Sequence, residues 1–354
     1  VTFKGRIQRL AAGNFANMAD VYRILGELPR DADNHDTSDQ RGKSLDKTVE
    51  RVKRAEALGY DSTYVTHIAG RDSLTVLMAY AAATEKIKLG TGVLPIFSRT
   101  PVATAQQAAT IDEFSGGRMV LGLGVSHQVT VENWYQASVE RPLRAMREYV
   151  AILRAVFADE EPPEGELFRT KFRFMGYSPR PDLPIYVAAL SPKMLRLAGE
   201  IADGVLLWLC NPEYIRDVVV PEVTAGRERA GKSLDGFDIV AAVPAAVTDD
   251  TEGTYKMVRG ELVTYFTLPF YRAMIERSGF GDEIAEFDAG MQGGDTERAK
   301  AAISDRFLEI LTAVGSEQDV RDGVARYADA GTTSPCIGPI TGTDFNATLE
   351  VAAP

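Results

Sequence analysis

Three histidines occur in 354 residues, and two of them, His67 and His127, stand directly after runs that read as β-strands. Imidazole titrates near neutral pH and can donate or accept a proton, so two at matching strand ends are candidates for acid–base chemistry. Either one taken alone is equally well explained as a histidine satisfied within a loop; their shared position favours a functional pair. His35 lies in a polar stretch and reads as a surface residue. Other groups able to hold a ligand fall at the same kind of place. These are Thr66, then Thr91-Gly92-Val93 leading to Ser98-Arg99, then Gly124-Val125-Ser126 before His127, then Ala189-Leu190-Ser191, and finally Trp208 to Asn211. Ser191-Pro192-Lys193-Met194 opens a helix with a cap residue and proline at its first position, which brings free N–H groups, a hydroxyl and an ammonium together. That is the make-up of an anion site, and equally of an ordinary capped helix.

Other chemistries lack their parts. Gly122-Leu-Gly124 begins like a dinucleotide fingerprint, but its third glycine position is His127 and no acidic residue follows at a second strand end. There is no G-x-S-x-G elbow, H-E-x-x-H or phosphate-binding P-loop. The two histidines have no acidic neighbour at ligand spacing, so no metal is expected. Cys210 and Cys336 match no C-x-x-C spacing and read as reduced, buried thiols. A net charge of −11 without a Lys/Arg run argues against nucleic acid. No stretch of 18 apolar residues appears and the first residues lack a signal-peptide core, so a cytoplasmic protein is expected, with no membrane partner.

The elements that must position these groups alternate. Strand-like runs at Phe3–Leu10, Ser62–Thr66, Ile87–Val93, Met119–Gly124, Ile185–Ala189, Val205–Leu209, Phe237–Val247 and Ser334–Ile340 are separated by stretches with helical spacing. Among those stretches are 45–58, 72–84, 101–114, 140–157, 192–201, 212–230, a helical stretch to about 314, and 317–330. Eight strands in β/α alternation, with runs apolar on both faces such as Val205–Leu209, predict a single (β/α)8 TIM barrel over residues 1–354. Its site then lies at the C-terminal strand ends, where both histidines fall. A doubly wound sheet differs only in strand order, which spacing does not reveal. Three stretches, 14–44, 158–184 and 250–305, break the rhythm and are read as excursions from the barrel.

Several ordered blocks resemble one family. Lys86-Ile-Lys-Leu-Gly-Thr-Gly-Val93, Ser98-Arg-Thr-Pro101, Ala105-Gln-Gln-Ala-Ala-Thr-Ile-Asp112, Ser115-Gly-Gly-Arg118 and Leu121-Gly-Leu-Gly124 resemble luciferase-like proteins. Leu183-Pro-Ile-Tyr-Val-Ala-Ala189, Ser191-Pro-Lys-Met194 and Leu197-Ala-Gly-Glu-Ile-Ala-Asp-Gly204 are most similar to the coenzyme F420-dependent branch, including methylene-tetrahydromethanopterin reductases. The resemblance covers roughly residues 45–247, and more weakly the last strand. It implies a luciferase-like barrel that transfers a hydride between F420 and a small organic substrate, and a homodimer. It implies a non-prolyl cis peptide at Gly92–Val93 behind the cofactor ring, and Leu190–Met194 at its phosphate. Thr66, Thr91, Gly124, Val125, Ser126 and Ala189 would complete the cofactor side. His67 or His127 would be the proton partner; the family often has Asp before the first of these, where this chain has Thr66, and some relatives carry Glu at the second. Trp208, Asn211 and the 14–44 and 250–305 excursions would form the substrate side. Two other readings stay open: an FMN-dependent monooxygenase on the same barrel, and a barrel without cofactor that only binds.

Overall fold

A computed structural model describes residues 44–354. The expected strand Phe3–Leu10, His35 and nearly all of the 14–44 excursion lie outside the described residues. The chain enters on helix α1 (Leu45–Ala57), which leads into strand β1 (Ser62–Val65). Helix α2 (Ser73–Ala83) follows, then β2 (Lys88–Thr91), the two-residue β3 (Leu94–Pro95) and helix α3 (Pro101–Phe114). Strand β4 (Met119–Gly124) leads through the short α4 (Gln128–Trp134) to α5 (Pro142–Phe157) and β5 (Ile185–Ala188). Helix α6 (Pro192–Ile201) precedes β6 (Gly204–Leu207). A single turn, α7 (Pro212–Tyr214), then passes through a wider π turn at Ile215–Val219 into α8 (Val220–Arg229).

Strand β7 (Asp238–Val247) is the longest. After it come five helices, α9 (Thr251–Thr267), α10 (Pro269–Arg277), α11 (Gly281–Gln292), α12 (Thr296–Ala301) and α13 (Asp305–Leu311). The chain ends with β8 (Ala313–Gly315), α14 (Glu317–Asp329), β9 (Ser334–Pro339) and α15 (Phe345–Val351). Helix starts follow local chemistry. Thr100, Ser191 and Asp250 each accept a hydrogen bond from the backbone three residues on, and proline fills the first position of α3, α5, α6 and α10.

Every strand pair is parallel, in the order β1-β2-β4-β5-β6-β7-β8, with β3 beside β4 and β9 beside β7. The sheet curls. Tyr64 of β1 feels the electrostatic influence of Tyr186 on β5, Asp238 on β7 and Cys336 on β9, although β1 begins the pairing path and β9 lies near its far end. Among the described residues no ladder joins β1 to β9, so the closed eight-strand ring expected from the sequence is seen as a curled parallel sheet, a partial barrel. One further expectation is corrected, and one element had no expectation. The helical stretch to about 314 ends at Leu311, and Ala313–Gly315 pairs with Ala245–Val247 instead; three residues are too few to show a period of two. The helix α4 lies ahead of the expected 140–157 helix and was not foreseen.

The outer helices lock against one another by close backbone approach. A Cβ on Gly226 would meet Arg196 O at 2.0 Å, and one on Gly199 would meet Val223 O at 2.2 Å, so α6 and α8 touch through reciprocal glycines. Gly226→Ala is therefore expected to cost about 1–3 kcal/mol, since backbone cannot yield as a side chain can. Urea unfolding checks it; an unchanged midpoint would show that the helices can part at no cost.

Candidate active site at the strand ends

All strands being parallel, their C-terminal ends share one face, and the loops there carry the predicted groups. The Gly92–Val93 peptide is cis, as the resemblance implied. This bulge packs on β4: a Cβ on Gly124 would lie 2.5 Å from Val93 Cγ2 and 3.5 Å from Ala188 Cβ, so the absence of a side chain at 124 lets the bulge close on the strand. Thr91 is fully buried, and its Oγ1 donates to Gly122 O at 2.7 Å, which ties β2 to β4 rather than presenting a hydroxyl to the face. Two non-glycine residues at strand ends, Ser126 (φ 60) and Leu209 (φ 59), hold the left-handed backbone conformation. Such residues cost stability and concentrate at functional sites.

His67 follows β1 in a loop that returns to the start of α2. Its Nδ1 lies 3.3 Å from Ser73 N, which donates to it, and 3.2 Å from Ser73 Oγ. Asp72, the cap of α2, sits 3.7 Å from the same Nδ1 and takes Arg99 Nη2 at 2.6 Å. Burial, and then the Arg99 charge, push the His67 pKa below its ordinary value, against the pull of Asp72. The hydrogen bonds from Arg99 and Thr75 hold the Asp72 carboxyl down to about 2, outweighing the cost of burial. The acidic neighbour of His67 thus comes from five residues down the chain rather than from position 66, where Thr66 is exposed. The only sequence signal for it was the cap pattern Asp72-Ser73-Leu74-Thr75 opening a helix.

His127 is half-buried at the end of the β4 loop and burial alone lowers its pKa. Its ring lies 5.8 Å from that of Tyr271, which stands 4.9 Å from Tyr265, which in turn meets Trp208 at 6.1 Å. A continuous aromatic wall therefore joins the ends of β4 and β6 through α9 and α10. Tyr271 is 7% exposed, whereas Trp208 is 37% exposed. Residues of the 250–305 stretch thus meet His127 at the end of the β4 loop, but Tyr265 and Tyr271 could not be picked out from spacing alone. Asn211 is 2% exposed and its Oδ1 accepts from Tyr214 N at 2.8 Å, so the structure makes it the cap of α7.

At the third corner, Ser191 caps α6, accepting from Met194 N at 3.4 Å, and Tyr214 Oη donates to Leu190 O at 2.7 Å, which anchors the loop. Ala189 and Met194 are buried beneath it, and Lys193 is exposed. The Lys193 N–H has no acceptor among the described residues. A hydroxyl, a free helix amide and an ammonium in one turn suit a phosphate. Val125 and Ser126, directly before His127 in the chain, are half-buried.

The histidines also tie stability to pH. Both folded-state pKa values lie below the ordinary one, so the unfolded chain binds more protons as the pH drops. Their contribution is complete above about pH 6.5 and is lost as the pH falls through the lowered values. His127→Gln is expected to flatten the acid side of a melting-temperature profile; a profile unchanged by that substitution would show the ring to be solvated.

Comparison with known proteins places this geometry. The luciferase-like monooxygenase family profile matches residues 28–334. The chain is 32% identical over 307 residues to a 5,10-methylenetetrahydromethanopterin reductase of Archaeoglobus fulgidus, covering 85% of this chain and 91% of that one. It is 31% identical over 307 residues to a putative coenzyme F420-dependent oxidoreductase of Mycobacterium tuberculosis, covering 80% and 88%. The solved F420-dependent tetrahydromethanopterin reductase of Methanopyrus kandleri superposes with a TM-score of 0.71 at 25% identity, over 88% of this chain and 94% of that one. A Pseudomonas putida type II Baeyer–Villiger monooxygenase in complex with FMN shares the fold at a TM-score of 0.61 and 18% identity, over 89% and 94%. Matched by that profile from residue 28 to 334 and by a reductase over most of both chains, and built on a curled parallel sheet, the chain belongs to the luciferase-like monooxygenase family and is an enzyme of it.

Proposed function

We propose that the protein is an F420-dependent oxidoreductase that moves a hydride between the deazaflavin and a small organic substrate, with His67 or His127 as proton partner. The observation that carries this reading is the meeting of β2 and β4. There Val93 packs on Gly124, three residues before a histidine that burial keeps neutral.

The residues present fit the group. Val93 and Gly124 offer an apolar backing for a flat ring, and Ser191, Lys193 and the first amides of α6 have the donors for its phosphate. F420, when bound, supplies two-electron hydride chemistry. The protein's part is to hold the reactants in line, exclude water and manage one proton. Tyr265, Tyr271 and Trp208 wall the site against solvent, and the half-buried His127 can take up or release the proton that accompanies the hydride.

Parallel titration with F420 and FMN tests the reading. Saturable binding is expected for F420, with a single-banded deazaflavin spectrum, and Lys193→Ala should weaken it. Tight FMN binding with no F420 binding would replace it by the FMN-dependent monooxygenase reading, and binding of neither would leave a barrel without cofactor.

A further inference from the structure

Which histidine exchanges the proton depends on where each ring carries its hydrogen. A backbone N–H can only donate, so the Ser73 N–H 3.3 Å from His67 Nδ1 requires a lone pair there, and the ring's one proton is then on Nε2. Protonating Nδ1 would set two N–H groups against each other and strip the first amide of α2 of its acceptor. Ser73 Oγ, 3.2 Å from Nδ1, is the one nearby oxygen that could accept such a proton, and the Ser73 amide would still be left without its acceptor. Asp72 Oδ2 is 3.7 Å from Nδ1, beyond hydrogen-bond length, and is taken by Arg99. Asp72 Oδ1 accepts from both Thr75 N and Thr75 Oγ1 at 2.9 Å. Arg99 is itself steadied by Gln107 Oε1 at 2.9 Å. His127 has no such restraint: it touches the Tyr271 ring, and no described residue hydrogen-bonds either of its nitrogens.

We propose that the first amide of helix α2, backed by the Asp72–Arg99 pair, holds His67 as its Nε2–H tautomer, making it a hydrogen-bond donor to an oxygen of the bound reactants, while His127 exchanges the proton. The assignment rests on the hydride-transfer reading for its catalytic meaning. Its structural half does not. A neutral imidazole gives up its Nε2 proton only by becoming an anion, and it can gain one only at the occupied Nδ1, so His67 polarises without transferring. Ser73, Asp72 and Arg99 are positioning residues.

Nitrogen NMR on the full-length, ¹⁵N-labelled protein tests this with and without F420, His67→Gln serving to assign the His67 signals among three histidines. At neutral pH Nδ1 is expected unprotonated and Nε2 protonated; the opposite tautomer, or an imidazolium, would overturn the proposal. Ser73→Pro removes the N–H at a first helical position that accepts proline, and Asp72 before it already has the extended ψ of 122° that proline requires. That variant should mix the tautomers. Ser73→Ala, which keeps the N–H, should retain the wild-type tautomer, and mixing there would count against the backbone donor. In turnover, His67→Ala should lose on the order of 10²-fold in kcat, as for removal of one preorganised donor. His67→Gln, whose amide N–H replaces Nε2–H, should stay within about tenfold of the native enzyme. Equal losses in the two would make His67 an acid–base group and sink the proposal. Because the NMR result needs no cofactor, failure to turn over F420 would strike the functional reading alone.

Discussion

Replacing His127 by alanine is expected to lower turnover with F420 by 10² to roughly 10⁴-fold, the range for loss of a positioned acid–base group. The reason lies in its surroundings. The ring is half-buried against Tyr271, with burial as the sole cause of its lowered pKa, so at neutral pH it is an uncharged base with both nitrogens unengaged by described residues. In the direction that needs a base, kcat/KM should rise with pH through a value below the ordinary 6.5 and then level off. The alanine variant should lose that limb. Steady-state kinetics from acid to neutral pH measure both effects, with a melting curve as control because truncation also removes the Tyr271 contact. Turnover unchanged in the variant, or an unaltered acid limb, would show that the proton travels elsewhere.

The largest stability effect is expected at Arg180→Met, about 3 kcal/mol or somewhat more. Asp112, at the end of α3, is 4% exposed, and its carboxylate accepts from Arg180 Nε at 2.9 Å, Arg180 Nη2 at 2.8 Å and Met119 N at 3.2 Å. Removing the guanidinium leaves a buried charge with one backbone donor. The arginine is partly exposed, so solvent screens some of the loss and the lower part of the 3–5 kcal/mol range applies. The double variant with Asp112→Ala should be less destabilised than Arg180→Met alone, because no orphaned charge remains. Equilibrium urea unfolding decides it; a loss under about 1 kcal/mol would mean that the pair only decorates the turn. The same pair pins the 158–184 excursion to the barrel. Glu148 does likewise by accepting from the backbone of Glu166, Leu167 and Phe168. None of these long-range partners is visible in the chain's local pattern.

Much of the scaffold was legible. Alternating β-branched runs and 3.6-residue periods located β1, β2, β4 to β7 and β9 and most of the long helices between them, though not α4 or the division of the stretch after β7 into five helices, because those patterns report local burial. The Ser191-Pro192 start of α6 was readable for the same reason, since a cap depends on neighbours within one turn. The short strands β3 and β8 were not, being fixed by partners on β4 and β7 rather than by their own two or three residues. Sequence also set the two histidines at the C-terminal face of the sheet, since any residue directly after a parallel strand emerges there.

What those histidines can do was decided by tertiary structure. The tautomer of His67 depends on an amide at Ser73 that the chain folds back to meet, and on an Arg99 contributed from beyond β3. The neutrality of His127 depends on being half-buried, with Tyr271 and Tyr265 delivered by helices more than a hundred residues further on and Trp208 by the end of β6. Residue type and spacing thus determined which groups reach the site. Only the folded packing sets a proton's place and a group's charge, because both depend on solvent exclusion and on partners that are distant in the chain.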